Sequence, residues 1–251
     1  MNERFLNNPN LPENKVITVF ADIDDTALKS VLNDLAIKVV NVTKNSLLEA
    51  TMSKHADISA NYVGKSTFLV DENQFELCKY LEDNGGKYHF IKEIKSPYPN
   101  DCLLNFADIG DYIICNRSIL TENIVELLPS KTIIDVKQGY SKCSVCICKR
   151  NTIITDDVSI YNAVSRFDNI KSLLVEKGSV HLKNYNYGFI GGCSGLIDKN
   201  TILFNGDLST HSDFDKIKNF LYDIGVNYIE IKGKPLTDIG SIIPITEKDG
   251  E

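Results

Sequence analysis

One pattern of apolar and polar positions occurs five times along this chain. In each copy, an apolar run predicted to be a β-strand ends on Asp or Asn, and a segment with the spacing of an amphipathic helix follows. These polar residues lie 49, 45, 40 and 49 residues apart, which indicates a repeat architecture. They are Asp22, Asp71, Asn116, Asp156 and Asn205.

Each copy also contains two shorter apolar runs that predict further strands. The second runs, which follow the helical segments, are 37–42, 88–94, 132–136, 172–175 and 228–231. The third runs, which precede the next copy, are 58–63, 102–106, 144–148, 195–197 and 239–245. The predicted unit is strand, helix, strand and strand, so the fold class is α/β.

Five such units leave the first and the last strand each without one neighbour. A closed ring that brings 16–20 beside 241–245 removes these exposed strand edges. An open solenoid is the alternative, and it requires capping repeats with polar outer faces, which the sequence does not show. The pattern favours the ring, in which each terminal Asp or Asn accepts from the free N–H groups of the following helix.

Composition fits one globular domain over 1–251. The chain is 43% hydrophobic, and no segment rich in Gly, Pro or Ser divides it. A net charge of −7 argues against general affinity for nucleic acid or anionic membranes. The apolar runs are far shorter than the roughly 20 residues of a membrane-spanning helix, and the polar start lacks a secretory signal. We therefore expect a cytoplasmic protein whose segment 1–14 is flexible.

Seven cysteines in a cytoplasmic chain are expected to be reduced thiols rather than disulfides. The series Cys143, Cys146 and Cys148 has short spacings that suit zinc or an iron cluster. In a strand, however, Cys146 and Cys148 share one face while Cys143 points to the other. No second group of Cys and His supplies further ligands, so we expect small buried side chains and no bound metal or cofactor.

The segment Asp22-Ile23-Asp24-Asp25-Thr26 resembles the nucleophile motif of haloacid-dehalogenase-type phosphatases. In that family the first Asp attacks phosphorus and the second is the general acid, and the pair Asp156-Asp157 resembles the magnesium ligands. A phosphatase that uses Asp22 and Asp24 is therefore one alternative. The repeat accounts for five such positions, whereas the phosphatase accounts for two.

Polar residues also occupy matching positions just before the third strand of each unit. In a closed ring these loops meet around the axis, so their side chains are expected to face one polar cavity. They are Asp57, Asp101, Cys143, Cys193 and Asp238.

Several longer motifs resemble a bacterial family of unknown activity that is assigned to the pentein fold. They lie at 137–144, 153–156, 187–192 and 235–241, with shorter ones at 55–58 and 98–101. Penteins are guanidino-modifying enzymes such as arginine deiminase, dimethylargininase and the amidinotransferases. The resemblance implies a five-bladed α/β propeller of strand-helix-strand-strand units around a pseudo-fivefold axis.

Pentein enzymes use a Cys nucleophile in the last unit, a His in the fourth unit and carboxylates that hold the guanidinium. By this resemblance His181 is the candidate catalytic base, and Asp57 and Asp101 are candidate guanidinium ligands. The last unit has Asp238 and no Cys where the enzymes have one, so Cys193 is the candidate for a relocated nucleophile.

We assign Asp238 and Asn105 to substrate binding, together with Asp57 and Asp101. The expected function is binding of a small guanidino- or amino-bearing ligand in an axial pocket, by a divergent hydrolase or amidino-modifying enzyme acting on C–N bonds. A non-catalytic interaction module, like the pentein-fold ribosome anti-association factor, is the other alternative. An open pocket favours chemistry, and a plugged axis favours the module.

Overall fold

The computed structural model describes residues 2–92 and 94–250, and its strands form five separate sheets. The first sheet contains β1 (Glu3–Phe5), β16 (Ile243–Lys248), β2 (Val16–Ala21) and β3 (Lys38–Asn41). The second sheet contains β4 (Ala60–Gly64), β5 (Thr67–Asp71) and β6 (Lys87–Ile91). The third sheet contains β7 (Ala107–Asp108), β8 (Tyr112–Cys115) and β9 (Thr132–Asp135). The fourth sheet contains β10 (Val145–Lys149), β11 (Thr152–Thr155) and β12 (Lys171–Leu174). The fifth sheet contains β13 (Ser194–Asp198), β14 (Thr201–Phe204) and β15 (Asn227–Glu230).

All five sheets share one topology. A strand pairs antiparallel with the central strand, which then continues into a helix and pairs in parallel with the strand beyond it. In the fourth sheet, for example, Val145 lies opposite Thr155, and Thr152 lies beside Lys171. The crossover helices are α1 (Thr26–Asp34), α3 (Phe75–Asp83), α4 (Glu122–Leu127), α5 (Val158–Val164) and α6 (Phe214–Asp223). The order of elements in the predicted unit is therefore confirmed.

The third apolar run at 102–106 is not a strand. The strand in that unit is β7, a two-residue strand that begins at Ala107. Leu103, Leu104 and Phe106 are nevertheless buried in the hydrophobic cluster beneath the third sheet. The apolar run therefore reflects burial of an irregular segment, and apolar content alone does not distinguish such a segment from a strand.

The Asp and Asn residues that end the repeated strands are not helix N-caps, contrary to the prediction. Asp22, Asp71 and Asn116 accept from the backbone N–H two residues further on, which turns the chain before the helix begins. A later residue caps instead, because the helix starts beyond this turn. Asp25 caps α1 and Asp157 caps α5.

The first long strand and the last strand lie side by side, as predicted. In the pairing of β2 with β16, Phe20 lies opposite Ile243. The segment expected to be flexible then adds β1 to the outer edge of β16. Leu6 is buried, and Glu247 accepts from the backbone N–H groups of Glu13 and Asn14 at 2.6 and 2.8 Å. In the described residues this segment pairs and packs, because β16 offers an open edge, and its expected flexibility stays a prediction.

The phosphatase alternative does not fit this architecture. Asp22 and Asp156 end the central strands of two different sheets rather than neighbouring strands of one parallel sheet. Asp24 is largely exposed and pairs with Lys54 at 2.6 Å. The two acidic motifs therefore belong to the repeat.

Central strands and helix faces build the hydrophobic core. β2, β5 and β11 are buried almost throughout, and Leu28 and Leu32 of α1 cover one side of the first sheet. All seven cysteines are buried and free. In the described part of the chain, none of the helices has both the length and the apolar character needed to cross a membrane.

Candidate functional site

A cavity of about 280 Å³ opens next to the short helix α2 (Ala56–Ser59). Its polar end is formed by His55, Cys143 and Asp238, and Asp57 lies directly behind Cys143. These four residues, here called the floor cluster, come from the first, third and fifth repeats. The loops before the third strands therefore do bring Asp57 and Asp238 together, as their matching positions suggested.

Thiol, imidazole and carboxylate groups are close together in the floor cluster. The Cys143 thiol donates to Asp57 Oδ2 at 3.0 Å, and a ligand atom of His55 lies within 4.8 Å of both residues. His55 Nδ1 is 3.8 Å from Asp238 Oδ1. All four residues are at most 5% exposed. This arrangement joins a nucleophile, a potential proton carrier and two potential cation ligands.

Burial and negative charge both favour the protonated form of the Cys143 thiol. Burial raises the pKa of Cys143 well above its usual value, and the charges of Asp57 and Asp238 raise it further. Burial also raises the pKa of Asp238, which neighbouring His55 partly offsets and Asp57 reinforces. A cation placed beside these carboxylates would oppose the same field and therefore lower the pKa of the thiol.

Residues from the third and fifth repeats hold Asp57 in place. Its backbone N–H donates to the Gly240 carbonyl at 2.9 Å, and the Ser241 hydroxyl donates to Asp57 Oδ2 at 2.7 Å. Lys142 Nζ lies 3.0 Å from the Ser241 hydroxyl oxygen and adds a positive charge behind the carboxylate. The other carboxylate oxygen, Asp57 Oδ1, is buried without a hydrogen-bond partner among the described residues.

The glycine-rich segment around 187–195 makes room for Asp238. A Cβ atom on Gly192 would lie 2.0 Å from Asp238 Oδ1, and one on Gly188 would lie 2.5 Å from Asp238 Cβ. The backbone N–H groups of Phe189 and Gly240 each donate to the carboxylate at 2.9 Å. The glycines thus allow the backbone to approach the Asp238 carboxylate closely. The two N–H donors fix the direction of that carboxylate.

Aromatic side chains form one wall of the cavity. This aromatic wall consists of Tyr140, Tyr185, Tyr187 and Phe189. The rings of Tyr140 and Phe189 stack with centroids 6.4 Å apart, and Tyr187 meets Phe189 edge-on at 6.1 Å. Among the described residues that line the cavity, none is Lys or Arg. The surface is therefore suited to an organic cation.

The structure places Asp101 and Asn105 behind the cavity rather than in its lining. Asp101 is buried beside Tyr140, and burial raises the pKa of its carboxyl group. Asn105 accepts from the backbone N–H groups of Lys142 and Cys143 at 2.8 and 3.1 Å, and its amide nitrogen is 3.2 Å from Cys143 Sγ. Asn105 therefore positions Cys143 and does not line the cavity, and its role in substrate binding stays a prediction.

His181 and Cys193 do not join the floor cluster. His181 is exposed, and its backbone pairs with the segment 236–238. The His181 carbonyl accepts from the backbone N–H of Asp238 at 2.9 Å. Cys193 is fully buried in the hydrophobic core and donates to the Ile190 carbonyl at 3.3 Å. Burial raises its pKa well above the usual value. This geometry does not favour the catalytic roles predicted for these two residues.

Two central residues were not assigned catalytic or ligand-binding roles from the sequence. Cys143 appeared among the matching loop residues, but as one of two thiols, and the choice fell on Cys193. His55 stands two residues before Asp57 in a motif that already supported the family resemblance. The short spacing of His55 and Asp57 across the start of α2 was the available signal, because it places both side chains near one point.

The sequence matches the "Family of unknown function (DUF6873)" over residues 20–243. No curated protein matches the sequence. The fold is similar to that of several solved enzymes. An inosamine-phosphate amidinotransferase from Streptomyces griseus has a TM-score of 0.63 at 9% identity, covering 98% of both chains.

Two further structures show the same likeness. One is an amidinotransferase from the saxitoxin biosynthetic pathway of Microseira wollei, with a TM-score of 0.56, 11% identity, and coverage of 89% of this chain and 91% of that one. The other is a substrate-bound agmatine deiminase from C. jejuni, with a TM-score of 0.56, 9% identity, and coverage of 100% and 98%. The chain therefore belongs to the family of unknown function DUF6873, and its fold is that of the guanidino-modifying enzymes, the penteins.

Proposed function

We propose that this protein binds a small guanidino- or amino-bearing cation in the cavity between the floor cluster and the aromatic wall. The observation that carries the proposal is the buried carboxylate of Asp238 in the lining of an open cavity without a Lys or Arg in its described lining, with a second carboxylate, Asp57, buried behind Cys143. Carboxylates on fixed loops suit the several planar donors of a guanidinium, and aromatic faces attract cations.

The proposed site lies on the axis of a five-bladed propeller. Supporting this arrangement, the five sheets share one topology, and β16 joins the first sheet to the end of the chain. Strand β13 also neighbours both β10 and β16, so the innermost strands of successive sheets lie close together. Floor residues from the first, third and fifth repeats then meet because their loops converge at one end of the axis.

Cys143 is the proposed nucleophile, in place of Cys193. Once a guanidinium lowers the thiol pKa, Cys143 loses its proton to His55 or Asp57, and sulfur bonds to the guanidinium carbon. The C–N bond to the leaving amine then breaks, and the amine takes up that proton. Water or an acceptor amine next attacks the same carbon, the C–S bond breaks, and a proton from the attacking group returns to sulfur and restores the thiol. Solved structures of the same fold are named amidinotransferase and deiminase, which supports C–N chemistry of this class.

Calorimetric titration tests the binding step. The panel contains guanidinium, methylguanidine, agmatine, arginine and matched amines. At least one of these is expected to bind, and Asp238→Asn should weaken its binding at least about tenfold, because the neutral amide removes a buried charge. Asp24→Asn is the control, since that carboxylate is 69% exposed and pairs with Lys54.

The opposite results would favour other functions. A panel that gives no binding at all, or equal loss of affinity in Asp238→Asn and Asp24→Asn, overturns the proposed cation site and leaves the interaction module as the better account. Binding without turnover, unchanged in Cys143→Ser, keeps the cation site and rejects the nucleophile.

A further inference from the structure

The floor cluster also combines three kinds of metal-binding atoms at one point. A thiol from Cys143, an imidazole nitrogen from His55 and a carboxylate oxygen from Asp57 all lie within 4.8 Å of one another. These are the sulfur, nitrogen and oxygen donors that zinc accepts in proteins. All three residues are buried, so a metal bound here would exchange little with bulk solvent.

The donor separations, from 3.0 Å to at most 4.8 Å, bracket those of tetrahedral coordination. Zinc bonds of about 2.3 Å to sulfur and about 2.0 to 2.2 Å to nitrogen or oxygen put neighbouring donors about 3.3 to 3.6 Å apart. Cys143 Sγ and Asp57 Oδ2 are 3.0 Å apart, already close to that range. Because His55 and Cys143 line the cavity, a water molecule or ligand atom there can occupy the fourth position.

A second, independent feature points to a cation at the same place. Asp57 Oδ1 is fully buried yet has no hydrogen-bond partner in the described chain, although buried polar atoms are normally paired. Asp238 lies 3.8 Å from His55 Nδ1, where it can orient the imidazole as the carboxylate partners of metal-bound histidines do.

We propose that His55, Asp57 and Cys143 form a binding site for one zinc-class divalent cation. The proposal departs from the expectation of no bound metal, which rested on the spacing of Cys143, Cys146 and Cys148 in the sequence. Binding releases the Cys143 thiol proton to solvent, so affinity rises with pH. The metal and the organic cation use the same carboxylates and therefore compete.

Cobalt(II) is the probe, because cobalt bound to thiolate in a tetrahedral site gives intense visible and near-ultraviolet absorption. Titration of the purified full chain after chelation should reach saturation at one ion per chain, and zinc should displace the cobalt. Cys143→Ser should abolish the thiolate absorption, and Asp57→Asn should weaken binding at least about tenfold. Cys78→Ser is the matched control, because that buried thiol lies on α3, outside the cluster.

Circular dichroism and thermal melting verify that each variant is folded. If Cys143→Ser does not fold, His55→Ala replaces it, because it removes another of the three proposed ligands and should weaken cobalt binding at least about tenfold. Cobalt absorption that is the same in Cys143→Ser as in Cys78→Ser, or no saturable binding by the folded wild-type chain, overturns the proposal.

The two proposals can fail separately. Cobalt binding with no response to the guanidino and amino panel keeps the metal site and rejects the organic ligand. The reverse result rejects the metal site alone. When both bind, an organic cation that does not reduce the cobalt absorption shows that the two ligands do not compete for the floor cluster.

Discussion

At Cys143, burial and two neighbouring carboxylates act on the thiol in the same direction. Both favour the neutral form, so the thiol is expected to react slowly with alkylating agents at neutral pH. We therefore expect the proposed nucleophile to become reactive only when positive charge enters the cavity. This dependence protects the thiol from unwanted reaction when no ligand is bound.

Asp57→Asn should make Cys143 more reactive. The amide can still accept from the thiol, but it removes the charge that raises the thiol pKa, so the thiolate fraction at a given pH should rise at least about threefold. Iodoacetamide labelling across a pH series, followed by peptide mass spectrometry, measures this change. Cys102, whose pKa is raised to about 12 mainly by burial, is the internal control. A labelling rate of Cys143 that stays equal or falls contradicts the electrostatic account.

Asp156 should make the folded protein less stable as pH rises. Burial raises its pKa from 3.8 to about 7, so the folded state holds the proton more tightly than the unfolded chain does. The resulting stabilisation is complete below the unfolded pKa and is lost as pH rises through about 7, with an upper bound on the order of 4 kcal/mol. Asp156→Asn should gain free energy of unfolding relative to wild type as pH rises from about 4 to about 7, and the gain should be constant above that range.

Urea denaturation at several pH values measures the Asp156 effect. The Asn side chain can still accept the Ile190 N–H that Asp156 accepts at 3.3 Å, which limits other changes. Parallel pH profiles for wild type and variant would show that Asp156 titrates normally in the folded state.

At the scale of elements, α5 begins with a well-formed cap. Asp157 accepts from the backbone N–H groups of Ser159 and Ile160 at 2.8 and 3.0 Å. Asp157→Ala should reduce the free energy of unfolding by about 1 kcal/mol, because two N–H groups of the first turn lose their acceptor. Asp157→Asn should retain most of the stability, since Asn also caps helices. An Ala variant as stable as the Asn variant in urea denaturation would show that the cap contributes little.

The elements were predictable because their signals are local. The central strands alternate with helices at a nearly constant period, and the spacing of apolar residues indicates both kinds of element. These strands are β2, β5, β8, β11 and β14. The segment at 102–106 was not predictable, because an irregular buried segment needs apolar residues as much as a strand does. The cap positions were missed by one or more residues, since a turn separates strand end from helix start.

The candidate site was predictable only as a set of loops. Equivalent positions in a repeat indicated that Asp57 and Asp238 converge, and the structure brings them together. Loop position does not determine which way a side chain points. Cys193 turns into the core and His181 turns to solvent, whereas Cys143 faces the cavity. That choice depends on packing between repeats, which no local pattern records.

For the whole molecule, the N-terminal segment is expected to contribute to stability. Leu6 is 2% exposed, and its carbonyl accepts from the Tyr62 hydroxyl at 2.6 Å. Leu6→Ala should reduce the free energy of unfolding by about 2 to 4 kcal/mol, as large-to-small changes in cores do. Urea denaturation gives the value, and Leu47→Ala is the exposed control, since Leu47 is 57% exposed. Equal costs in both variants would mean that the segment is not packed as described.

The pairing of β1 with β16 places Glu3 opposite Lys248. A short peptide linker can therefore join these two positions, and the backbone can be opened elsewhere, for example at the exposed turn Asn84–Gly85. Such a circular permutant keeps every sheet and every residue of the floor cluster, although the order of repeats along the chain changes. The same ligands should bind to it with similar affinity, because the arrangement of the repeats in space, rather than their order in the sequence, assembles the cavity.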